Sequence, residues 1–370
     1  QLRSRRRARF CALPVRTVSW DPTLSAVKMI DQRRLPAEYS IVTLESAAAV
    51  AEAIHDMVVR GAPAIGASAA FGLALAAARS TASSSEQLWK DLRAAEQVLR
   101  ASRPTAINLG WALDRMLALA QAHSNQDLTA LRGLLVAEAQ RIADQDVDIN
   151  RRMGSYGAAL VKDGDTLIHH CNTGALATVD YGTALGVLRT AHENGKAIHV
   201  LVDETRPRLQ GARLTAWELD QYGIEHEIIA DNAAGSFLQA GQVASVFVGA
   251  DRVAANGDVA NKIGTYMLAL AAYDNRVPFY VVAPTSTIDL SVGSGAEIPI
   301  EERPAAEVLN LQVDGEPIAP AGSRARNPAF DITPHRLVTA IVTEVGVLRP
   351  PYELVLAEAV NSARSLWTSS

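Results

Sequence analysis

TLIHH (166–170), AIHVLVD (197–203), IEHEIIA (224–230), VASVFVG (243–249) and VPFYVVAP (277–284) are the segments on which the reading of the fold turns. Each is a short apolar run with little polar alternation. Between them lie stretches of helical spacing: YGTALGVLRTAHENG (181–195), LQGARLTAWELDQYG (209–223), AAGSFLQAG (233–241) and NKIGTYMLALAAYDN (261–275). Strands that are apolar on both faces and alternate with helices belong to a parallel sheet covered by helices. The expected fold class is α/β, with a C-terminal Rossmann-like parallel-sheet domain over residues 151–370. No GxGxxG follows the first strand, so this shape does not imply a dinucleotide.

Working toward the N-terminus, the grammar changes. ESAAAVAEAIHDMVV (45–59), SEQLWKDLRAAEQVLRA (85–101) and DLTALRGLLVAEAQRIADQDVDINRRM (127–153) carry apolar residues at three- and four-residue spacing, which predicts helices. Ahead of them VRTVSW (15–20), AVKMID (26–31) and YSIVTL (39–44) are separated by Asp21-Pro22 and Leu35-Pro36 and predict a small antiparallel sheet. Residues 15–150 are therefore expected to form a mainly helical N-terminal domain with a small β-sheet. Residues 1–14 are expected to be a disordered extension: the basic LRSRRRARF (2–10) lacks the apolar segment of a secretory signal.

Composition narrows the function. Of 370 residues 48% are hydrophobic and 20% charged, with a net charge of −5. That balance excludes disorder for most of the chain and lacks the basic field of a nucleic-acid binder. Two cysteines, Cys11 and Cys171, cannot build a disulfide framework, which points to a reducing, cytoplasmic setting. The apolar run GAPAIGASAAFGLALAAA (61–78) nearly has the length of a membrane span, but its small residues suit a closely packed soluble helix, and no membrane partner is expected.

Ligands of an open parallel sheet bind beyond the carboxyl ends of its strands. The residues placed there are Cys171-Asn172-Thr173-Gly174, Glu204-Thr205-Arg206-Pro207, Asp231-Asn232, Asp251-Arg252 followed by Asn261-Lys262, and Thr285-Ser286-Thr287. Cys171, entering a turn toward a helix, is either an activated thiol or a small buried hydrophobe. Asp251, after Val-Gly-Ala, is an acid or a turn cap. Asp203 and Glu204 are further acids or partners of Arg206 and Arg208. His169 shares a strand face with Cys171, so a thiol–imidazole pair is geometrically open, although a strand histidine is more often a satisfied core residue; His170 points away if the strand is regular. No HExxH or CxxC spacing occurs, and no metal is expected. In Arg60-Gly61-Ala62-Pro63, Gly61 permits close approach to the backbone and Pro63 suits a helix start, whose free amides and Arg60 favour an anion. Lys262, expected near a helix start, and Arg103 are further cations suited to a phosphate.

These strings resemble a known family. RGAPAIG (60–66), ASRPTAINLGWALDRM (101–116), HHCNTGALATVDYGTALG (169–186), DETRPRLQGARLTAWEL (203–219), GADRVAANGDVANKIGTY (249–266) and GSGAEIPIEER (293–303) are similar to methylthioribose-1-phosphate isomerases, over roughly residues 15–345. PAFDITPH (328–335) also resembles the wider superfamily, which includes regulatory subunits of a translation-initiation exchange factor. The resemblance implies a homodimer that converts 5-methylthioribose 1-phosphate into 5-methylthioribulose 1-phosphate in methionine salvage, without cofactor. It implies Cys171 and Asp251 as the catalytic pair and Arg60, Gly61, Ala62, Arg103, Gln210, Asn261 and Lys262 as substrate-binding positions.

The chemistry explains the residue types. The anomeric oxygen of this aldose carries phosphate, so its ring cannot open to a free aldehyde; an acid must protonate the ring oxygen while hydrogen moves from C2 to C1. Apolar flanks at Val248, Gly249, Ala250 and Val253 suit Asp251 to that role by desolvation, with Cys171 as its partner. Two alternatives stand beside this reading: an isomerase of another sugar 1-phosphate, such as ribose 1,5-bisphosphate or 5-deoxyribose 1-phosphate, and a non-catalytic exchange-factor-like subunit. A cysteine hydrolase is a more distant third, since no oriented His–Asp pair is evident.

Overall fold

The computed structural model describes residues 16–104 and 106–368; the expected extension lies outside these. Three strands, β1 (Val18–Asp21), β2 (Ala26–Ile30) and β3 (Ile41–Leu44), form the predicted antiparallel sheet in that order. Helices α1 (Ala47–His55), α2 (Ala62–Arg79), α3 (Ser85–Ser102), α4 (Ile107–Ala122) and α5 (Leu128–Ala158) follow. The apolar α2 is the only helix among the described residues long and apolar enough to cross a membrane, yet it lies mostly buried and packed by α1, α3, α4 and α5. Its small residues make that possible: a Cβ on Gly66 would stand 2.9 Å from the Asn108 carbonyl oxygen.

The expected domain division at 150/151 falls inside α5. Leu131, Leu135 and Ile142 of this helix join the N-terminal core, while Met153 and Ala158 join a second core against the large sheet. Two glycines let the helix lie close there, since a Cβ on Gly157 would meet Val187 at 2.3 Å and one on Gly154 would meet Thr190 at 2.4 Å.

Beyond α5 come β4 (Thr166–His169), α6 (Ala184–Glu193), β5 (His199–Asp203), α7 (Ala216–Tyr222), β6 (Glu225–Ile229), α8 (Ala234–Gln239) and β7 (Ser245–Val248). Then follow β8 (Arg252–Ala254), β9 (Val259–Lys262), α9 (Thr265–Asp274), β10 (Phe279–Val282), β11 (Ile288–Asp289) and α10 (Ala306–Leu309). The chain closes with β12 (Gln312–Val313), β13 (Glu316–Pro317), β14 (Phe330–Thr333), β15 (Ala340–Thr343), β16 (Gly346–Leu348) and α11 (Tyr352–Thr368). The large sheet has the order β16-β15-β10-β7-β4-β5-β6, parallel except for the edge pair β15–β16. Leaving out β16, the chain starts at β4, runs to one edge through β5 and β6, then crosses back to β7 and runs outward through β10 and β15. That is the doubly wound Rossmann order, whose topological switch point lies between β4 and β7.

The sequence reading omitted a second sheet, β11-β8-β9-β14, which stands beside the first. Its central hairpin β8–β9 pairs Arg252 with Ala260, and β14 pairs Phe330 with Lys262. Lys262 therefore ends a strand rather than opening the helix expected over 261–275; α9 begins only at Thr265. Long-range pairing with β14, more than sixty residues away, is what holds this short polar segment extended.

Candidate active site

The two strands at the switch point deliver the two reactive groups. Cys171 follows β4 and Asp251 follows β7, and both line one cleft at the carboxyl edge of the large sheet. Arg60, Gly61, Ala62, Arg103, Gln210 and Lys262 line the same cleft. Asn261 does not: it is buried one residue back, with its amide donating to Thr265 Oγ1 at 3.0 Å. Alternation along β9 turns Lys262 toward the cleft and its neighbour away.

Cys171 is 5% exposed and has φ +72, a left-handed backbone uncommon for a residue with a side chain. Its conformation is held from both sides: its N–H donates to Thr205 Oγ1 at 2.9 Å, and its carbonyl accepts from Thr215 Oγ1 at 2.7 Å. The Gln210 amide nitrogen reaches Sγ at 3.4 Å, and Gln210 Oε1 is buried with no partner among the described residues.

The left-handed turn breaks the strand alternation after His169, and with it the possible thiol–imidazole pair. His169 instead faces Thr173 Oγ1 at 3.3 Å, and burial, with the neighbouring His170 adding to it, pulls its pKa down to about 3. It is a neutral core histidine. His170 is held by Asp203 Oδ2 at 2.8 Å and by the Ile263 carbonyl at 2.9 Å. Asp231 is a turn cap, accepting from the Thr205 and Arg206 backbone N–H groups at 2.6 and 2.7 Å.

Asp251 reaches the cleft because its N–H pairs with the Ala260 carbonyl at 2.9 Å, which ties it to the β8–β9 hairpin. Burial raises its pKa above the usual carboxylate range, against the opposing pull of Lys262, Arg60 and Arg103. Lys262 sits with Nζ 4.7 Å from the centre of the Phe330 ring, and burial lowers its pKa while the charges of Cys171 and Asp251 oppose that shift.

The cation turn is built differently from the simple sequence picture. Gly61 has φ +96, and a Cβ there would lie 2.2 Å from the Ala177 carbonyl oxygen, so the protein's own backbone crowds it. Pro63 lies within the first two positions of α2, and no side chain caps that helix start. Arg60 spends its fork on Asn172, donating to Oδ1 at 2.6 Å and to the carbonyl at 2.9 Å. Asn172 is fixed in turn by donating to Glu218 Oε1 at 2.7 Å, and burial pushes the pKa of Glu218 up to about 6. Arg103 lies 3.5 Å from Glu301, with its Nε buried and unpartnered among the described residues. Burial lowers the pKa of Arg103.

Several lining residues escaped the sequence reading, among them Met57, Arg208, Ile298, Arg303 and Phe330. Arg208 and Arg303 both bind Glu307, at 2.9 and 2.7 Å, and the two arginines hold that acid's pKa down to about 2 against the effect of burial. The cleft thus combines a thiol, a carboxyl with a raised pKa and a surplus of cations with an apolar lining that includes Met57, Ile65, Ile107 and Leu214.

Comparison with known proteins agrees with this geometry. The pattern of the Initiation factor 2 subunit family matches residues 58–350. A methylthioribose-1-phosphate isomerase of Synechococcus sp. is 54% identical over 347 residues, 94% of this chain and 98% of that protein. The chain belongs to the methylthioribose-1-phosphate isomerase family. Another member of the isomerase family, from Geotalea uraniireducens, is 52% identical and covers 94% of this chain and 99% of its own. Among solved structures, the 5-methylthioribose 1-phosphate isomerase of Pyrococcus horikoshii OT3 superposes with a TM-score of 0.87 at 48% identity, covering 94% and 96% of the two chains. The translation initiation factor eIF-2B subunit delta of A. fulgidus gives 0.83 at 42% identity, covering 94% and 99%. Both branches of the superfamily named from the sequence are therefore represented among its structural relatives.

Proposed function

We propose that this chain is an aldose–ketose isomerase that converts 5-methylthioribose 1-phosphate into 5-methylthioribulose 1-phosphate. The observation that carries this reading is the meeting of Cys171 and Asp251 in one cleft beside Lys262, Arg60 and Arg103. An exchange-factor subunit acting through protein contacts has no use for a buried thiol and an acid of raised pKa facing a cationic cleft. The relatives in the isomerase family give the substrate.

The reaction balances within the substrate. The ring oxygen gains a proton as the C1–O bond breaks, one hydrogen moves from C2 to C1, and the C2 hydroxyl loses its proton to become the ketone. No external oxidant or reductant is needed. Asp251, whose pKa burial raises, is the acid at the ring oxygen, and Cys171 is the partner that takes up the hydroxyl proton; positioned transfer of this kind contributes roughly 10²–10⁴-fold. Lys262, Arg103 and the uncapped start of α2 hold the phosphate.

A cytoplasmic homodimer belongs to the same proposal. Met267 and Tyr273 of α9 are 53% and 59% exposed and, with Tyr266 and Leu270, form an apolar face suited to a second copy. Light scattering of the purified protein tests this, and a single-chain mass would remove it.

The experiment for the activity offers the methylthio sugar phosphate, ribose 1,5-bisphosphate and 5-deoxyribose 1-phosphate side by side and follows ketose formation. Preference for the methylthio substrate supports the reading, and a preference for either rival reassigns the substrate. No turnover of any of the three overturns the reading. Running the reaction in D₂O separates the hydrogen-transfer routes, because solvent deuterium at C1 marks proton exchange.

A further inference from the structure

His170 has no part in the proton transfers above, yet it directly precedes Cys171 and is buried between the ends of β5 and β9. It is 1% exposed. Nδ1 lies 2.8 Å from Asp203 Oδ2 and Nε2 lies 2.9 Å from the Ile263 carbonyl oxygen. Burial raises the pKa of Asp203, while its bond to His170 and the charge there oppose that shift. With Asp203 ionised, its oxygen and the main-chain carbonyl only accept, so both ring nitrogens donate and the ring is an imidazolium. Charge on a buried ring needs a partner, and Asp203 supplies it. The pKa agrees in direction: burial pulls it down, but the Asp203 hydrogen bond and charge more than reverse this, to about 9.

The two acceptors belong to different sheets. Asp203 ends β5 of the large sheet, next to β4, whose next residues are His170 and Cys171. Ile263 directly follows Lys262, the last residue of β9 in the small sheet. The turn beyond it is pressed against the ring: Gly264 has φ +103, and a Cβ there would stand 2.9 Å from His170 Cε1. Asp331 fixes the far side of this turn by accepting from the Gly264 and Tyr266 N–H groups at 2.8 and 3.1 Å.

We propose that His170 is a positioning residue for the isomerisation, tying the strand end that carries Cys171 to the strand end that carries Lys262 and so fixing the thiol against the phosphate-gripping ammonium. This rests on the assignment of Cys171 and Lys262 to the site. His170, Asp203 and Asp231 also lie close enough together to suggest a metal. Both nitrogens of His170 and both carboxylate oxygens of Asp231 are committed to the bonds described; Asp203 Oδ1 alone is buried without a partner among the described residues, which leaves one ligand atom for an ion, so the cluster is a clamp.

The test compares His170→Leu, His170→Gln and Gly264→Ala, each in a Cys11→Ser background so that Cys171 is the single thiol. The leucine removes both bonds, the glutamine restores N–H donors, and the alanine disturbs the ring from the opposite side without altering it. A misplacement of about 1 Å costs up to roughly 10²-fold in rate, so kcat per folded molecule should fall at least about tenfold in the leucine and alanine variants. Glutamine should recover part of that loss. A purely structural role would instead lower Tm and leave kcat of the folded fraction unchanged, which would overturn the proposal. Alkylation of Cys171 by iodoacetamide reads the clamp without substrate: loosening the strand end should speed modification of the buried thiol severalfold. If the wild-type protein makes no ketose, the isomerase reading fails while the alkylation comparison still decides the clamp. Wild-type alkylation rates in both the leucine and the alanine variants would overturn it.

Discussion

The side-chain amide of Gln210 donates to Cys171 Sγ across 3.4 Å, while its oxygen stays buried without a partner among the described residues. A buried carbonyl oxygen without a donor is costly, and a sugar hydroxyl entering the cleft would supply one. On the proposed function, Gln210 would bridge the thiol and the substrate. Gln210→Ala should lower kcat/KM by roughly threefold to thirtyfold, with both constants changed, since a hydrogen bond contributes about 0.5–1.5 kcal/mol and two are lost with substrate bound. Cys171→Ala should lower kcat by about two orders of magnitude or more and leave the fold intact. Steady-state kinetics on the methylthio substrate checks both, and near-normal turnover of the alanine variant would remove the thiol from the mechanism.

Asp251 is expected to work as an acid, and its environment fixes the sign of the pH response. Burial raises its pKa in the folded protein, although three cations oppose the shift. The native state therefore holds a proton over a pH range in which the unfolded chain has lost it. Stability from this group falls as pH rises across that range, and so does the active acid form. Asp251→Asn should lower kcat by about two orders of magnitude. It should also abolish the alkaline fall in kcat, and its stability relative to wild type should improve with increasing pH. A pH profile that keeps the wild-type shape in the variant would assign the acid elsewhere.

Much of this site was legible because parallel strands announce themselves twice, once as doubly apolar runs and again as polar residues at their carboxyl ends. TLIHH and VASVFVG by themselves put Cys171 and Asp251 at one edge of the sheet. What stayed hidden depended on contacts distant in sequence. Lys262 is held extended by Phe330 and its neighbours in β14, a pairing that no local periodicity of VANK signals. The Asn172 partner of Arg60 lies 112 residues away, and nothing local in RGAP signals it. The core reading of His169 holds, while the strand alternation that would pair it with Cys171 ends locally, at the φ of +72 of Cys171.

Gly61 lines the cleft and packs against the Ala177 carbonyl, 2.2 Å from where a Cβ would stand. Its φ of +96 is strained for any other residue. Gly61→Ala combines that strain with a clash against backbone, which cannot turn aside as a side chain can. The expected loss is at least about 2 kcal/mol of stability, measured by urea unfolding. The same shift would move the Arg60 turn away from Asn172, so KM should rise in whatever fraction remains folded. An alanine variant of wild-type stability would show that the α2 start and the Ala177 turn can separate freely.

Asp146 gives a pH prediction independent of catalysis. It lies on α5 and accepts the Val179 N–H at 2.7 Å, joining the long helix to the turn that follows Cys171. Burial raises its pKa to about 7, opposed by that bond and by Asn150. Below the ordinary carboxylate pKa both folded and unfolded chains hold the proton, and the group adds no pH dependence. Between about 4 and about 7 the unfolded chain ionises first, so the native state loses stability steadily as pH rises; each unit of difference corresponds to about 1.4 kcal/mol. Asp146→Asn keeps an oxygen for Val179 but cannot ionise. Its Tm should therefore match or trail the wild type at pH 5 and exceed it at pH 8, and a Tm difference that is flat across that interval would show that Asp146 does not hold its proton in the folded protein.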